Sequence, residues 1–249
     1  MNIPKFAKRF AAARKLRLTF TGLSRFPMPS VMTFGFRKIS IHAPPEPGLA
    51  IDFVELILDD DYGLLEFEVP PKTIVDIGGN IGLFSLWAGL IFPDSRIHCY
   101  EPNPRLHEYL AKNLRGRAIL HGEGVGSKEG RASMLDNEES RLGQVVTGAG
   151  DASLSITAIH TVLERTGGHA DLLKMDCEGS EWDILEDTAS IGKFREIRME
   201  YHEIGGHTLA DLDGILSGAG FVRTYLKPNN GFGIAYYKNL SRDSRGVGR

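Results

Sequence analysis

One stretch, Ile-Val-Asp-Ile-Gly-Gly-Asn-Ile-Gly-Leu-Phe-Ser, constrains the fold of this chain more than any other. Ile74, Val75 and Ile77 at its start form a short apolar run typical of a buried strand. Gly78, Gly79 and Gly82 follow, and glycines there permit a tight turn and a close approach of the backbone to a ligand. Over residues 83–91 the apolar spacing becomes that of a helix. Strand, turn and helix together predict the first half of a nucleotide-binding α/β unit.

The spacing of these glycines decides between two classes of cofactor. A dinucleotide fingerprint requires G-x-G-x-x-G, and Asn80 or Ile81 interrupts that spacing, which disfavours a NAD-dependent dehydrogenase. Asp76 ends the strand instead, and its charge would repel a pyrophosphate. It suits a ligand that carries an ammonium and a sulfonium, namely S-adenosylmethionine. The alternative is a glycine turn that only connects two elements.

Strands and helices alternate from residue 74 onward, which predicts a mostly parallel sheet with helices on both faces. The predicted strands are residues 74–77, 96–100, 118–120, 171–175 and 196–200, with a late pair at 221–226 and 232–238. The predicted helices are residues 52–58, 83–91, 104–114, 157–165, 180–186 and 208–218. One further strand is expected around residues 34–41.

Length and composition favour one domain with extensions. A chain of 249 residues with 42% apolar residues can bury one sizeable core. We expect a catalytic domain over residues 51–240, a basic helix and proline-rich loop over 1–50, and a flexible tail over 241–249. The two cysteines predict no disulfide framework, and no apolar run is long enough for a transmembrane helix. The first residues lack the apolar core of a secretory signal, so a cytoplasmic location is expected.

The first 25 residues contain seven lysines and arginines and no acid. Ile3, Phe6 and Phe10 are spaced to share one face of a helix. A basic amphipathic helix can rest on an anionic membrane surface, which gives a peripheral membrane contact. A solvated helix that covers the domain, or a frayed end, explains the same residues.

Glu101 follows the predicted strand 96–100, 25 residues beyond Asp76. A carboxylate at this strand end reaches the ribose of a bound nucleoside, where it accepts protons from both hydroxyls. Pro102 stops the strand, and Asn103 can cap the next helix. Glu101 with the glycine turn therefore predicts a nucleoside site.

Several carboxylates follow the predicted strands 171–175 and 196–200. Asp176 and Glu178 emerge from the first, and Glu200 lies in the second, two residues before His202. Carboxylates crowded at one sheet edge require a cation, a metal or a shared proton. His202 is a candidate general base, and Asp176, Glu178 and Glu200 are possible metal ligands. Glu181 is interpreted as a helix-starting acid, Cys177 as a small packing residue.

Four segments carry a resemblance to a known family: Val-Asp-Ile-Gly-Gly-Asn-Ile-Gly at 75–82, Tyr-Glu-Pro-Asn-Pro at 100–104, Leu-Lys-Met-Asp-Cys-Glu-Gly-Ser-Glu at 173–181, and Met-Glu-Tyr-His at 199–202. They resemble the FkbM-type family of S-adenosylmethionine-dependent methyltransferases, and the likeness extends over about residues 56–237. The resemblance implies a Rossmann-like, mostly parallel seven-stranded sheet with an antiparallel C-terminal strand. It also implies O-methylation of hydroxyls on sugars, glycolipids or polyketide-type metabolites.

The resemblance implies donor contacts for Asp76, Gly78, Asn80 and Glu101, and an acceptor side lined by Asp176, Glu178 and Glu200. Gly79 stands where alanine is more usual, and residues 136–151 are less typical. With the residues singled out above, the candidate donor site is Asp76, Gly78, Gly79, Asn80, Gly82, Glu101, Pro102, Asn103 and Tyr62. Tyr62 either closes over the donor or packs at the rim.

The mechanistic hypothesis makes His202 the general base for the acceptor hydroxyl, with Asp176 and Glu200 orienting the base or the acceptor. A variant uses a divalent metal instead. A set formed by Lys174, Asp176 and Glu200 partly resembles ribose 2′-O-methyltransferases, but the net charge of −3 argues against RNA. DNA methylation is disfavoured because no Asp/Asn-Pro-Pro-aromatic element is present. A catalytically silent scaffold that binds the nucleoside is the remaining alternative.

Overall fold

The structure is a computed structural model, and it describes residues 3–18, 27–135, 144–147 and 153–243. The strands are β1 (Val31–Phe34), β2 (Arg37–Ser40), β3 (Thr73–Ile77), β4 (Arg96–Tyr100), β5 (Ile119–His121), β6 (Gly124–Gly126), β7 (Gly130–Leu135), β8 (Gln144–Thr147), β9 (Leu154–Ala158), β10 (Ala170–Met175), β11 (Phe194–His202), β12 (Phe221–Pro228) and β13 (Phe232–Asn239). The helices are α1 (Ile3–Lys15), α2 (Leu49–Phe53), α3 (Leu83–Ile91), α4 (His107–Leu114), α5 (Ile159–Arg165), α6 (Glu181–Leu185), α7 (Thr188–Ile191), α8 (Leu209–Gly218) and α9 (Leu240–Asp243). A π-helical turn, Val54–Leu58, continues α2.

The main sheet has seven strands in the order β12-β13-β11-β10-β3-β4-β5. Every pair is parallel except the two that β13 makes with β11 and β12. The predicted Rossmann-like fold is therefore confirmed, including its antiparallel C-terminal strand. Strand order reverses between β3 and β10, and open α/β sheets bind ligands beside such a reversal.

Two apolar layers cover the two faces of this sheet. The first contains residues of α3 and α4 together with Leu16, Met32 and Phe53 from the N-terminal segments. The second contains residues of α5, α6, α7 and α8 together with Ile197, Met199 and Tyr201 of β11. The predicted alternation of β11 therefore holds, because these three side chains pack on one face and leave the intervening residues to the other.

A second sheet of four strands, β6-β9-β7-β8, was not predicted. Sequence alone predicted a helix from residue 157, whereas β9 occupies residues 154–158 and α5 follows it. These strands are short, so alternation of apolar and polar residues within them is a weak signal. Their burial also depends on packing against the main domain, which the local sequence does not reveal. Most of residues 136–151, the stretch that is less typical of the family, lies outside the described residues.

The N-terminal extension also differs in detail from its prediction. The single strand expected at 34–41 is the hairpin β1–β2, turned at Gly35 and Phe36. Helix α1 is present, although Phe10 is half exposed; Ala13 in the helix and Leu16 just after it are buried. Helix α9 includes the first residues of the tail expected to be flexible, and residues 244–249 lie outside the described part. No described helix has the length and apolar character needed to cross a membrane.

Candidate active site

A cavity of about 530 Å³ opens where strands β3, β4, β10 and β11 end. Gly78 and Asn80 line one part of it together with Glu101 and Pro102, and Asp176 and Glu200 line another part. We call the first part, which contains residues predicted from sequence to contact a methyl donor, the donor side, and the second, which contains residues predicted to line the acceptor, the acceptor side. Residues predicted from sequence as separate motifs thus share one cavity, because the carboxyl ends of parallel strands meet at one edge of a sheet.

The glycine turn brings the donor side close to the end of β10. Gly78 has φ +77°, and a Cβ at this position would overlap the backbone carbonyl of Asp176. Gly79 has no such backbone constraint, but a Cβ there would overlap the sulfur of buried Cys99. The first glycine is therefore required by backbone geometry and the second by the size of its neighbour.

Glu101 is buried on the donor side and fixed by backbone hydrogen bonds. The N–H of Asn80 donates to its Oε2 at 2.7 Å, and the N–H of Asn103 donates to its Oε1 at 2.8 Å. Burial raises the pKa of Glu101 to about 7, although these two hydrogen bonds lower it. Each carboxylate oxygen has two acceptor sites, so both retain capacity to accept a hydroxyl proton of a ligand.

Asp76 does not reach the cavity. It is fully buried, Ser85 Oγ donates to its Oδ2 at 2.6 Å, and Lys174 Nζ lies 3.2 Å from its Oδ1. Lys174 also donates to the carbonyl of Gly78 at 2.8 Å. In this structure Asp76 holds Lys174 beneath the glycine turn, so its position does not support the predicted direct contact with a charged donor.

Of the remaining residues predicted for the donor site, some line the cavity and others lie behind its wall. Pro102 and Asn103 line the donor side, whereas Gly79 and Gly82 do not. Gly82 instead forms the N-cap of α3, with φ +86°. Tyr62 lies on the acceptor side rather than over the glycine turn.

On the acceptor side, Tyr62 holds Asp176. The hydroxyl of Tyr62 donates to Asp176 Oδ2 at 2.9 Å, and its ring packs edge-to-face on Phe84. Burial and the charge of Asp176 raise the pKa of Tyr62 well above its ordinary value, so the phenol stays protonated as a donor. The carboxylate of Asp176 is partly exposed to the cavity, where it can accept a second proton donor.

Arg198, which no motif identified as functional, positions Tyr62. Its Nη1 donates to the backbone carbonyls of Tyr62 and Gly63, and its guanidinium lies 4.0 Å from the ring centre of Phe67 and 4.5 Å from that of Tyr236. This buried cation fixes the segment before β3 onto strand β11. A lone arginine in a strand gives no sequence signal for such a contact.

Glu200 lies beside Asp176, because Met175 and Met199, the residues before them, are register partners in β10 and β11. Burial and, to a lesser extent, the negative charge of Asp176 raise the pKa of Glu200 to about 9. Glu200 therefore holds a proton at neutral pH in the absence of a ligand, and it can donate that proton in a hydrogen bond.

His202 lies behind the cavity wall rather than in it. Its Nδ1 is 2.6 Å from Glu181 Oε1, and its Nε2 is 3.5 Å from Glu178 Oε2. Burial lowers the pKa of His202, but the hydrogen bond to Glu181 and the nearby acids raise it more, to about 9. An imidazolium with a carboxylate at each nitrogen has no lone pair for a substrate proton, so this geometry does not support the predicted general base.

Glu181 was interpreted from sequence as a helix-starting acid, and it does begin α6. The structure adds that this carboxylate is buried and pairs with His202. The partners are 21 residues apart on different elements, so no local pattern could pair them.

The cavity is strongly acidic. Seven of its described lining residues are carboxylic acids, and Lys227 is the one lysine or arginine among them. Lys227 forms an ion pair with Asp61, so its charge is already compensated. The acidic lining residues are Asp52, Glu55, Asp61, Glu101, Asp176, Glu178 and Glu200.

Among the residues that the structure describes, no group of three or more histidines, cysteines and acids is arranged to hold a metal ion. The predicted ligands Asp176, Glu178 and Glu200 all reach the cavity. Asp176 already accepts a hydrogen bond from Tyr62 and lies 3.8 Å from Lys174 Nζ, and Glu178 lies 3.5 Å from His202 behind the cavity wall.

Comparison with known proteins identifies the family of this domain. Residues 76–232 match the family model described as the methyltransferase FkbM domain. The antimetabolite synthetase AmbE of Pseudomonas aeruginosa is 24% identical over 74% of this chain, which spans 10% of that much longer protein. Methyltransferase 1 of Beauveria bassiana is 23% identical, with 59% of this chain and 70% of that protein covered. The 31-O-demethyl-FK506 methyltransferase FkbM of Streptomyces tacrolimicus is 24% identical, with 68% and 80% covered.

Proposed function

This chain belongs to the methyltransferase FkbM domain family and is a methyltransferase, and from that premise we propose that it uses S-adenosylmethionine to methylate a hydroxyl of a small molecule or glycoconjugate. One observation carries the proposal: Glu101 and the Tyr62–Asp176 pair line two sides of the same cavity. The first suits a ribose diol, and the second suits a hydroxyl that must lose its proton.

On the donor side, Glu101 would accept the two ribose hydroxyls, and the backbone of Gly78 and Asn80 would lie against the rest of the nucleoside. Both carboxylate oxygens are already oriented by backbone N–H groups, so little side-chain freedom is lost on binding. When bound, the donor supplies an electrophilic methyl group and keeps the electron pair of the broken carbon–sulfur bond as a thioether.

On the acceptor side, Asp176 would take the hydroxyl proton while the new oxygen–carbon bond forms. Tyr62 orients this carboxylate, and Arg198 orients Tyr62 through its backbone. Glu200, protonated in the empty site, would donate a hydrogen bond to another oxygen of the acceptor. A general base of this kind contributes about 10²–10⁴ in rate. His202 becomes a positioning residue that holds Glu178 and Glu181.

The charge of the cavity favours an acceptor without phosphate groups. The ionised acids that line the cavity, which do not include the protonated Glu200, would repel the backbone of an RNA strand. Lys174, which contributes to the resemblance to ribose methyltransferases, is buried against Asp76. The name of the Streptomyces relative, 31-O-demethyl-FK506 methyltransferase, indicates that an oxygen receives its methyl group, which supports a hydroxyl acceptor.

Calorimetry with S-adenosylmethionine and with its demethylated product tests the donor. We expect binding of both, and no binding of either at millimolar concentration would overturn the proposal. Release of labelled methyl onto a library of hydroxyl compounds then tests the activity. Donor binding without transfer to any hydroxyl would favour the silent scaffold, and transfer to RNA would favour the ribose methyltransferase.

Metal dependence is tested separately by repeating the methyl-transfer assay after EDTA treatment. The proposal assigns the proton to Asp176 without a metal, so we expect full activity. Loss on chelation with recovery on adding Mg²⁺ would favour metal activation of the hydroxyl instead.

A further inference from the structure

The charges of this chain are divided sharply along the sequence. Residues 1–45 contain nine lysines and arginines and no aspartate or glutamate. Residues 46–249 contain twenty lysines and arginines against thirty-two acids. The net charge of −3 therefore conceals a cationic N-terminal segment attached to an anionic domain. Net charge alone does not reveal such a division.

The described parts of this segment form one layer on the domain. The N–H of Thr33 in β1 donates to the carbonyl of Leu16, just after α1, at 2.8 Å. Leu16 is buried in the same apolar layer as Met32 of β1 and Ile39 of β2. Arg9 anchors α1 through Asp59, with its Nε 2.6 Å from Oδ1. Helix α1 and the β1–β2 hairpin are thus fixed beside each other.

The outer side of this layer carries cations without acidic partners. Six exposed lysines and arginines form no salt bridge with any residue the structure describes, and we call them the basic surface: Lys8, Arg14, Lys15, Arg17, Arg37 and Lys38. Arg9 alone among the described cations of this segment has its charge compensated by an acid, Asp59. Six uncompensated charges on one layer attract a polyanion.

A fully exposed aromatic ring lies at the edge of the basic surface. Phe36, at the turn of the β1–β2 hairpin, has a relative exposure of 103%, and Val31 on β1 is about half exposed. Arg37 and Lys38 follow Phe36 directly. A phenylalanine on a hairpin tip gains nothing from water, whereas it can insert at the headgroup–acyl boundary of a bilayer.

We infer that the basic surface and Phe36 form a docking site for an anionic lipid bilayer. Phosphate groups of the lipids would pair with the cations, and Phe36 would enter the interfacial region. A bilayer accounts for both the charge and the exposed ring, because its headgroups carry phosphates and its interfacial region accepts an apolar side chain. RNA also offers phosphates, and preferential binding of RNA is an outcome that the experiment distinguishes. This inference does not depend on the identity of the methyl acceptor.

Cosedimentation of the full chain with vesicles provides the test. We expect binding to phosphatidylcholine–phosphatidylglycerol vesicles, weak binding to phosphatidylcholine alone, and release at high salt. Arg37→Glu with Lys38→Glu should weaken binding at least about tenfold, since each cation near a charged membrane contributes. Phe36→Ala should weaken it about threefold to tenfold without changing the charge. Lys128→Glu with Lys193→Glu, two exposed lysines outside this layer, is the matched control and should keep more than half of the affinity.

A fluorescence readout separates insertion from simple attraction. Phe36→Trp should show a blue-shifted emission on anionic vesicles and quenching by brominated lipids, whereas Trp87 and Trp182 are largely buried and report little. Absence of anionic vesicle binding at physiological ionic strength would overturn the inference. Equal loss in the control double variant, no lipid quenching of the indole introduced by Phe36→Trp, or tighter binding to RNA than to vesicles at the same salt would overturn it too.

Discussion

The donor side and the acceptor side of the cavity are built in different ways. The donor side is formed by residues between Ile77 and Asn103, and its key contacts use backbone N–H groups that orient Glu101. The acceptor side is formed by Tyr62, Asp176 and Glu200, which lie far apart in the sequence. Its contacts join ionisable side chains. Substitutions on the donor side should therefore change binding and packing, and substitutions on the acceptor side should change the chemical step and its dependence on pH.

The largest effect is expected from Asp176→Asn. The amide keeps the size of the side chain and can still accept from Tyr62, but it cannot take a proton, so kcat should fall by about 10²–10⁴. Donor affinity measured by calorimetry should change less than about threefold. Tyr62→Phe should lower kcat by about tenfold, because it removes only the orienting hydrogen bond. If Asp176→Asn stays active and His202→Gln is inactive, the base is the histidine.

On the donor side, Glu101→Gln should weaken binding of S-adenosylmethionine by about tenfold to a hundredfold. The reason is the loss of charge-assisted hydrogen bonds, each contributing about 1.5–3 kcal/mol. Calorimetry gives the dissociation constant, and thermal unfolding without donor checks the fold. Glu108→Gln, an exposed acid of α4, is the control. Unchanged donor affinity in Glu101→Gln would show that Glu101 does not contact the nucleoside. The proposed difference between a binding side and a chemical side of the cavity would then lose its main support.

A smaller effect concerns packing behind the glycine turn. Gly79→Ala should destabilise the protein by about 1–3 kcal/mol, because its methyl group overlaps the sulfur of Cys99. Adding Cys99→Ala removes that sulfur, so the double variant should be more stable than the sum of the single effects predicts. Urea unfolding of the four proteins measures the coupling. Additive effects would show that the turn, rather than Cys99, excludes a side chain at position 79.

The smallest expected effect is a change with pH in the difference between the free energies of unfolding of the wild type and of His202→Gln. The pKa of His202 is raised to about 9 in the folded protein, so its contribution to stability is complete below about pH 6.5 and is lost as the pH rises through 9. The advantage of the wild type over His202→Gln should therefore shrink by about 1–2 kcal/mol between pH 6 and pH 9.5. Urea unfolding at both pH values measures it, with exposed His169→Gln as control. An advantage that grows with pH would mean that His202 is neutral in the fold.

Much of the fold could be predicted because its signals are local. The apolar run at β3, the glycines after it and the acid after β4 each lie within a few residues, and backbone geometry translates them directly into strand, turn and strand end. The short strands of the second sheet could not be predicted, since their burial depends on what packs against them.

The sequence by itself determined the α/β fold, the donor-side position of Glu101 and the arrival of Asp176 and Glu200 at one sheet edge. Only the tertiary structure decided what each ionisable group does there. It paired Asp76 with Lys174 beneath the turn, His202 with Glu181 behind the wall, and Tyr62 with Asp176 inside the cavity. The physical reason is that backbone preferences act over neighbouring residues, whereas the charge state of a carboxylate or an imidazole depends on burial and on partners far away in the chain.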